Sequence, residues 1–225
     1  MNTATDSVAL PAGPTIRVEI ERVDASTVDR ARVLPAATLH EASGRIGVMP
    51  SAIKPVAPGM RVCGPAIPVQ SPGGDNLWLH RAIYVARPGD VLVVHVSDVH
   101  DYGYWGEIMS AAAKARHLGG LVIDGSVRDG ALLADFGLPV FARGLCIRGT
   151  GKDFGARGWI NFPVLFGDLT VNAGDLVVGD TDGVVVLPRE RAAQLVQAAE
   201  AREAKEAAIV ERIRAGERTL EVYDF

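Results

Sequence analysis

Residues 104–129 read Tyr-Trp-Gly-Glu-Ile-Met-Ser-Ala-Ala-Ala-Lys-Ala-Arg-His-Leu-Gly-Gly-Leu-Val-Ile-Asp-Gly-Ser-Val-Arg-Asp. Trp105-Gly106 is a turn that opens a helix with Glu107 in its first turn. Gly119-Gly120 closes that helix, because glycine takes the left-handed conformation of a helix end without steric cost. Leu121, Val122 and Ile123 form a short apolar strand, and Asp124-Gly125 turns it into a loop ending in Arg128-Asp129. A helix that starts in a loop and returns through a strand brings its own N-terminus and the strand's outgoing loop to one edge of a sheet. In α/β folds ligands bind at that edge. The first-turn amides of Ile108 and Met109 face that space, and the helix dipole favours an anion there. Arg128 adds a forked cation, and Asp129 a hard oxygen donor suited to Mg²⁺.

The rest of the chain fits a frame around this block. Its 225 residues are 48% hydrophobic and 22% charged, the balance of a soluble globular protein with a real core. A formal net charge of -4 with no basic block gives no electrostatic reason to expect nucleic acid as a partner. No apolar run has the length of a membrane span, and no basic-then-apolar leader opens the chain, so a cytoplasmic protein is expected. Cys63 and Cys146 stand apart in apolar surroundings and read as reduced thiols rather than a disulfide or metal pair.

Met1–Pro14 has no periodicity and reads as a tail, with one domain over 15–225. Thr15–Val23 alternates like a half-buried strand. Ser26 is placed to cap a helix to Leu34, and a second helix runs on to Ser43-Gly44. Short strands are expected at Met60–Cys63 and Ala66–Val69, around a Gly64-Pro65 turn, and Asp75 or Asn76 can cap the helix to Val85. Gly-Asp turns lead into valine strands at 91–94 and 176–178, Asp182-Gly183 leads into another at 184–186, and Gly130–Phe136 is a short helix ended by Gly137. The last helix runs from Pro188 to Gly216. The pattern is an α/β domain, layered, with mixed strand directions and helices at both ends.

That last helix carries Glu203 and Glu206 in the seam of Ala192, Val196, Ala199, Val210 and Ile213. Buried carboxylates need cations or a metal; either the pair completes a site in a neighbouring subunit, or the helix splays into solvent. Other readings also stay open. Asp129 can cap the helix that starts at Gly130, and Glu107 can be a first-turn acid favoured by the dipole. His95 and His100 with Asp98 and Asp101 resemble a metal cluster, although His95 also reads as a strand end. His80 and Arg81 follow a Pro-Gly-Gly-Asp-Asn loop and can reach an anion. The four lysines, Lys54, Lys114, Lys152 and Lys205, sit in polar loops or on helix faces, which disfavours a Schiff base.

Trp105-Gly106-Glu107 followed by Gly119-Gly120-Leu-Val-Ile-Asp-Gly-Ser-Val-Arg128-Asp129 resembles the class II pyruvate aldolases of the RraA-like family, which cleave 4-hydroxy-4-methyl-2-oxoglutarate and 4-carboxy-4-hydroxy-2-oxoadipate. Leu39-His40-Glu41-Ala42, the loop Pro72–Asn76 with His80-Arg81-Ala82-Ile83, and Ala201-Arg202-Glu203 with Glu206 match as well. The resemblance implies a β/β/α swivelling-type fold, assembled as a homotrimer or homohexamer with sites between subunits. It implies that Asp129 binds Mg²⁺, Mn²⁺ or another divalent metal and that Arg128 holds the C2 oxygen of the pyruvyl unit. By the same resemblance, Gly106, Ile108 and Met109 seat the substrate carboxylate through backbone amides. Glu107 and, from the adjacent subunit, Glu206 (Glu203 second) act on the metal through water. The implied activity is retro-aldol cleavage of a 4-hydroxy-2-oxo diacid, with oxaloacetate decarboxylation on the side. A non-catalytic ribonuclease-binding regulator is the alternative. Two departures bear on substrate choice: position 107 is Glu where these aldolases carry Asp, and Thr150–Asn161 is longer.

Overall fold

The computed structural model describes residues 15–225; the tail expected at 1–14 lies outside the described residues. Helices α1 (Ala25–Ala31) and α2 (Ala36–Ala42) come first, then strands β1 (Lys54–Pro55) and β2 (Val62–Gln70), helix α3 (Leu77–Val85) and strand β3 (Val91–His95). The central block supplies α4 (Glu107–Ala115), β4 (Gly120–Asp124), β5 (Ser126–Val127) and α5 (Gly130–Phe136). After β6 (Val140–Ala142) and β7 (Gly144–Leu145) come β8 (Trp159–Ile160), β9 (Val164–Phe166) and β10 (Leu169–Val171). Strands β11 (Leu176–Asp180) and β12 (Gly183–Leu187) lead into α6 (Arg189–Arg214) and α7 (Thr219–Val222).

The main sheet runs β1-β6-β4-β3-β2-β11-β12, with β8 added beside β2. β2, β3, β4 and β6 are parallel; β11 runs antiparallel to both its neighbours, β2 and β12, and β1 antiparallel to β6. The sheet curls until its ends nearly meet. β1 lies against β12, the Lys54 ammonium donates to the Asp182 carbonyl, and Gly47–Met49 bonds along the free edge of β12 through Val186 N–H to Gly47 and Met49 N–H to Val184.

This curl explains why the strands read as unbroken valine runs. Val91, Val93, Val122, Phe141, Val177, Val184 and Val186 fill the interior with Phe166 and Val171. Their alternates Leu92, Val94, Leu121 and Ile123 face outward into a layer with α3 and α4. Cys63, Leu176, Val178, Val185 and Leu187 face α1, α2 and α6. A strand buried on both faces loses the polar alternation of a half-solvated one. Mixed sheet, helical layers and long C-terminal helix agree with the sequence reading. No helix among the described residues is long and apolar enough to cross a membrane.

Several local expectations need correction. Thr15–Val23 keeps its alternation of exposure but is not a strand; it makes one isolated bridge, Ile16 to Ile160. Gly64-Pro65 is no turn, because β2 continues through it. Its partner changes from β11, ending at Pro65, to β8, starting at Val69, so Pro68 falls in the gap where no donor is needed on that side. Asp24, not Ser26, caps α1 by accepting from the Thr27 amide, and Ser26 Oγ also donates to it at 2.6 Å. These bonds hold the Asp24 carboxyl at about 2. α4 ends at Ala115, and His117 rather than a glycine takes the left-handed position, with φ 57°.

Candidate active site

A cleft of about 340 Å³ opens at the N-terminus of α4. Its walls are Gly103 to Met109, Arg128 and Asp129, faced by Asn76 and His80 of the 72–80 segment and by Gly149, Thr150 and Lys152. The chain is pinned on both sides. Arg128 N–H donates to Trp105 O at 2.8 Å and Tyr104 N–H to Ser126 O at 3.0 Å, while buried Trp105 Nε1 donates to Ser110 Oγ at 2.7 Å. The loop after β4 is thereby stitched to the turn before α4.

Asp129 occupies the N-cap position of α5 in a left-handed conformation, φ 61° and ψ 34°, yet its carboxylate makes no bond to that helix. It accepts instead from Glu107 N–H at 3.0 Å, with Arg128 Nε 3.8 Å away. The capping reading of Asp129 is therefore not what the geometry shows. Gly106 makes the approach possible, since a Cβ there would lie 2.3 Å from Asp129 Oδ2. At Gly103 a Cβ would meet Cys146 O at 2.5 Å and Arg128 Cβ at 3.1 Å. The amides of Ile108 and Met109 belong to the first turn, which has no carbonyl one turn back inside the helix, so the cleft combines free amides, a guanidinium and a carboxylate.

Of the residues singled out from sequence, Gly106, Glu107, Ile108, Met109, Arg128 and Asp129 line this cleft together, and His80 joins them. Burial and the nearby Lys152 ammonium lower the His80 pKa. Arg81 is turned away onto the Trp78 ring, 4.6 Å from its centroid. Lys152, a polar-loop lysine by sequence, stands in the cleft; its loop, ordered by Asp153 N–H on Asp75 Oδ2, carries Gly149 and Thr150 in with it. No spacing rule flags those three. Only the abundance of glycine in 149–158 hinted at a loop able to lie close.

Glu203 and Glu206 do not line the cleft of their own chain, and they are not buried in a seam. Glu203 accepts from Thr38 Oγ1 at 2.5 Å, and Glu206 pairs with Arg202 at 2.7 Å. The buried stripe of α6 is Ala192, Leu195, Val196, Ala199 and Ile209; Val210 and Ile213 are exposed.

The second cluster regroups. His95 and Asp98 meet Asp124, with ligand atoms within 4.8 Å of one another; His100 instead lies against the Asp124 carbonyl. Asp124 is already held by Arg143 Nε at 2.5 Å, and none of this group lines the cleft. Cys63 is buried and Cys146 half-buried, both free; burial raises the Cys63 thiol to about 11, which keeps it protonated and inert.

Fold and cleft define an α/β protein with an anion-friendly helix end, an arginine and an acid at the edge of a curled mixed sheet. The family model described as Aldolase/RraA, RraA-like, matches residues 23–186, and the chain belongs to that family. It is 33% identical over 192 residues to a Halalkalibacterium halodurans protein named "Putative 4-hydroxy-4-methyl-2-oxoglutarate aldolase", covering 84% of this chain and 90% of the relative. A crystal structure of a Pseudomonas syringae pv. tomato protein superposes with a TM-score of 0.80 at 31% identity, over 91% of this chain and 96% of that one. RraAS2 of Streptomyces coelicolor, described as an unusual member of the RNase ES inhibitor RraA family, superposes at 0.73 with 28% identity, over 85% and 100%.

Proposed function

We propose that the protein is a divalent-metal-dependent carbon–carbon lyase that cleaves a 4-hydroxy-2-oxo diacid into pyruvate and a second 2-oxo acid. One observation carries the reading: Asp129 leaves its own helix uncapped and turns its carboxylate onto Glu107 N–H, beside Arg128, in the cleft. Asp129, with Glu107 nearby, offers the hard oxygens that Mg²⁺ or Mn²⁺ takes alongside several waters. A bound cation there would supply Lewis-acid stabilisation of the enolate oxygen.

The chain's own groups do the rest. Amides of Ile108 and Met109 bind the substrate carboxylate at the positive end of α4. Arg128 pairs with the C2 oxygen as charge develops on it. A water held by Glu107 takes the C4 hydroxyl proton while the C3–C4 bond breaks; C4 becomes a carbonyl and the bond's electrons form the pyruvate enolate. The same relay returns a proton to C3. Oxaloacetate gives the same enolate on losing CO₂, so decarboxylation is the side activity. The relatives' aldolase names support this reading.

Self-assembly into a homotrimer or homohexamer belongs to the same proposal. Exposed Ile108 lines the cleft and exposed Leu145 and Ile147 lie beside Arg128 and Asp129, and Glu206 or Glu203 would then reach the neighbour's site. The test is pyruvate release, coupled to lactate dehydrogenase, from a panel of 4-hydroxy-2-oxo diacids and oxaloacetate with and without chelator. Chelator-sensitive release is expected; none from any member would refute the activity. The likeness to RraAS2 favours a second reading, a regulator that binds a ribonuclease, which co-purification of the ribonuclease without turnover would establish.

A further inference from the structure

Asn76 holds a buried oxygen with nothing to bind. The residue is only 6% exposed and lines the cleft, and its Oδ1 has no hydrogen-bond partner. Its orientation is fixed chemically, because Nδ2 donates to Tyr104 O at 3.0 Å and to Met109 Sδ at 3.5 Å. Flipping the amide would set oxygen against a carbonyl oxygen. A buried acceptor without a donor is costly. The two groups that clamp Nδ2 flank Glu107 in the chain and hold Asn76 against the first turn of α4. His80, the other polar side chain of this wall, has a lowered pKa from burial and Lys152.

We propose that Asn76 Oδ1 is the anchor of the relaying water, a positioning residue for the proton transfers of the activity proposed above, on which this inference rests. The water donates one hydrogen to Asn76 Oδ1 and one to the Glu107 carboxylate. Its lone pair is left to accept the C4 hydroxyl proton, and in reverse it delivers a proton to the enolate carbon. Glu107 alone leaves the water free to rotate; the second acceptor fixes it.

Exchange of pyruvate methyl hydrogens for deuterium, followed by NMR, reads this relay without any aldol substrate. Asn76→Ala is expected to slow exchange about tenfold, the value of one hydrogen bond, with pyruvate affinity little changed. The ratio of aldol cleavage to oxaloacetate decarboxylation should fall by a similar factor, because loss of CO₂ needs no hydroxyl proton removed. Asn76→Asp keeps an acceptor but sets an oxygen against Tyr104 O, and is expected to recover part of the exchange. Wild-type exchange in Asn76→Ala would overturn the proposal, as would Asn76→Asp failing alongside it, which would make the tie to Tyr104 the residue's role. Absence of exchange in the wild-type protein would instead overturn the enolate-forming reading, and this one with it.

Discussion

Two aspartates five residues apart, each close to an arginine, have opposite fates. Asp124 ends β4, is 3% exposed, and gives Oδ1 to Arg143 at 2.5 Å. Asp129 stands in a left-handed turn with its side chain 36% exposed, holds one backbone amide, and keeps 3.8 Å from Arg128. A carboxylate consumed by a close guanidinium in a buried setting is architecture; one held off its arginine by a backbone clamp keeps oxygens free for something else. The same two residue types, Asp and Arg, therefore identify a site only through their separation.

That contrast can be broken experimentally. Asp129→Ala is expected to abolish chelator-sensitive pyruvate release at a stability cost of only about 1–2 kcal/mol, since alanine tolerates the left-handed turn less well than aspartate; retained turnover would place the two aspartates in one class. Asp124→Ala should do the reverse, costing roughly 3 kcal/mol in urea denaturation because Arg143 loses its buried partner. Gly106→Ala sharpens the comparison, since its Cβ must displace the Asp129 carboxylate. A shift of that kind costs up to about a hundredfold in rate, read as kcat on whichever substrate the panel yields, with Tm little changed.

A third aspartate sets the lower bound. Asp24→Ala removes the α1 cap and should cost about 1 kcal/mol. The Asp24 carboxyl is held at about 2, below its unfolded value, so this stability is present above the unfolded pKa near 4 and is lost as pH falls toward 2. The smallest effect concerns His80. With Lys152 replaced by Gln, the imidazole midpoint in an NMR titration should move up toward the ordinary histidine value, because one of the two causes lowering it is gone. For His80 the folded pKa lies below the unfolded one, so its favourable contribution holds above the unfolded pKa and fades as pH drops through the folded one.

Much of the sheet was readable because valine runs after Gly-Asp turns admit few alternatives, and the 104–129 block places its own helix end and loop on one edge. The failures share one cause. Whether Thr15–Val23 becomes a strand, or Gly64-Pro65 a turn, depends on which chain lies alongside, and neither segment states its partner. Lys152 reaches the cleft through a loop fastened by Asp75, a bond across 78 residues that no local pattern contains. Glu203 and Glu206 looked buried because periodicity assigns a whole stripe to the core, whereas here both sit half-exposed at its border, Glu203 on Thr38 and Glu206 on Arg202.

The strand at the lip of the curled sheet is only Lys54 and Pro55. A lysine and a proline are a poor template for another backbone: one brings a charge that is costly to bury against a second sheet, the other has no amide hydrogen to offer. Fibre-like stacking of sheets is thereby discouraged at that border, and copies of the chain that meet are steered toward fitting side chains together instead of lengthening a shared ladder.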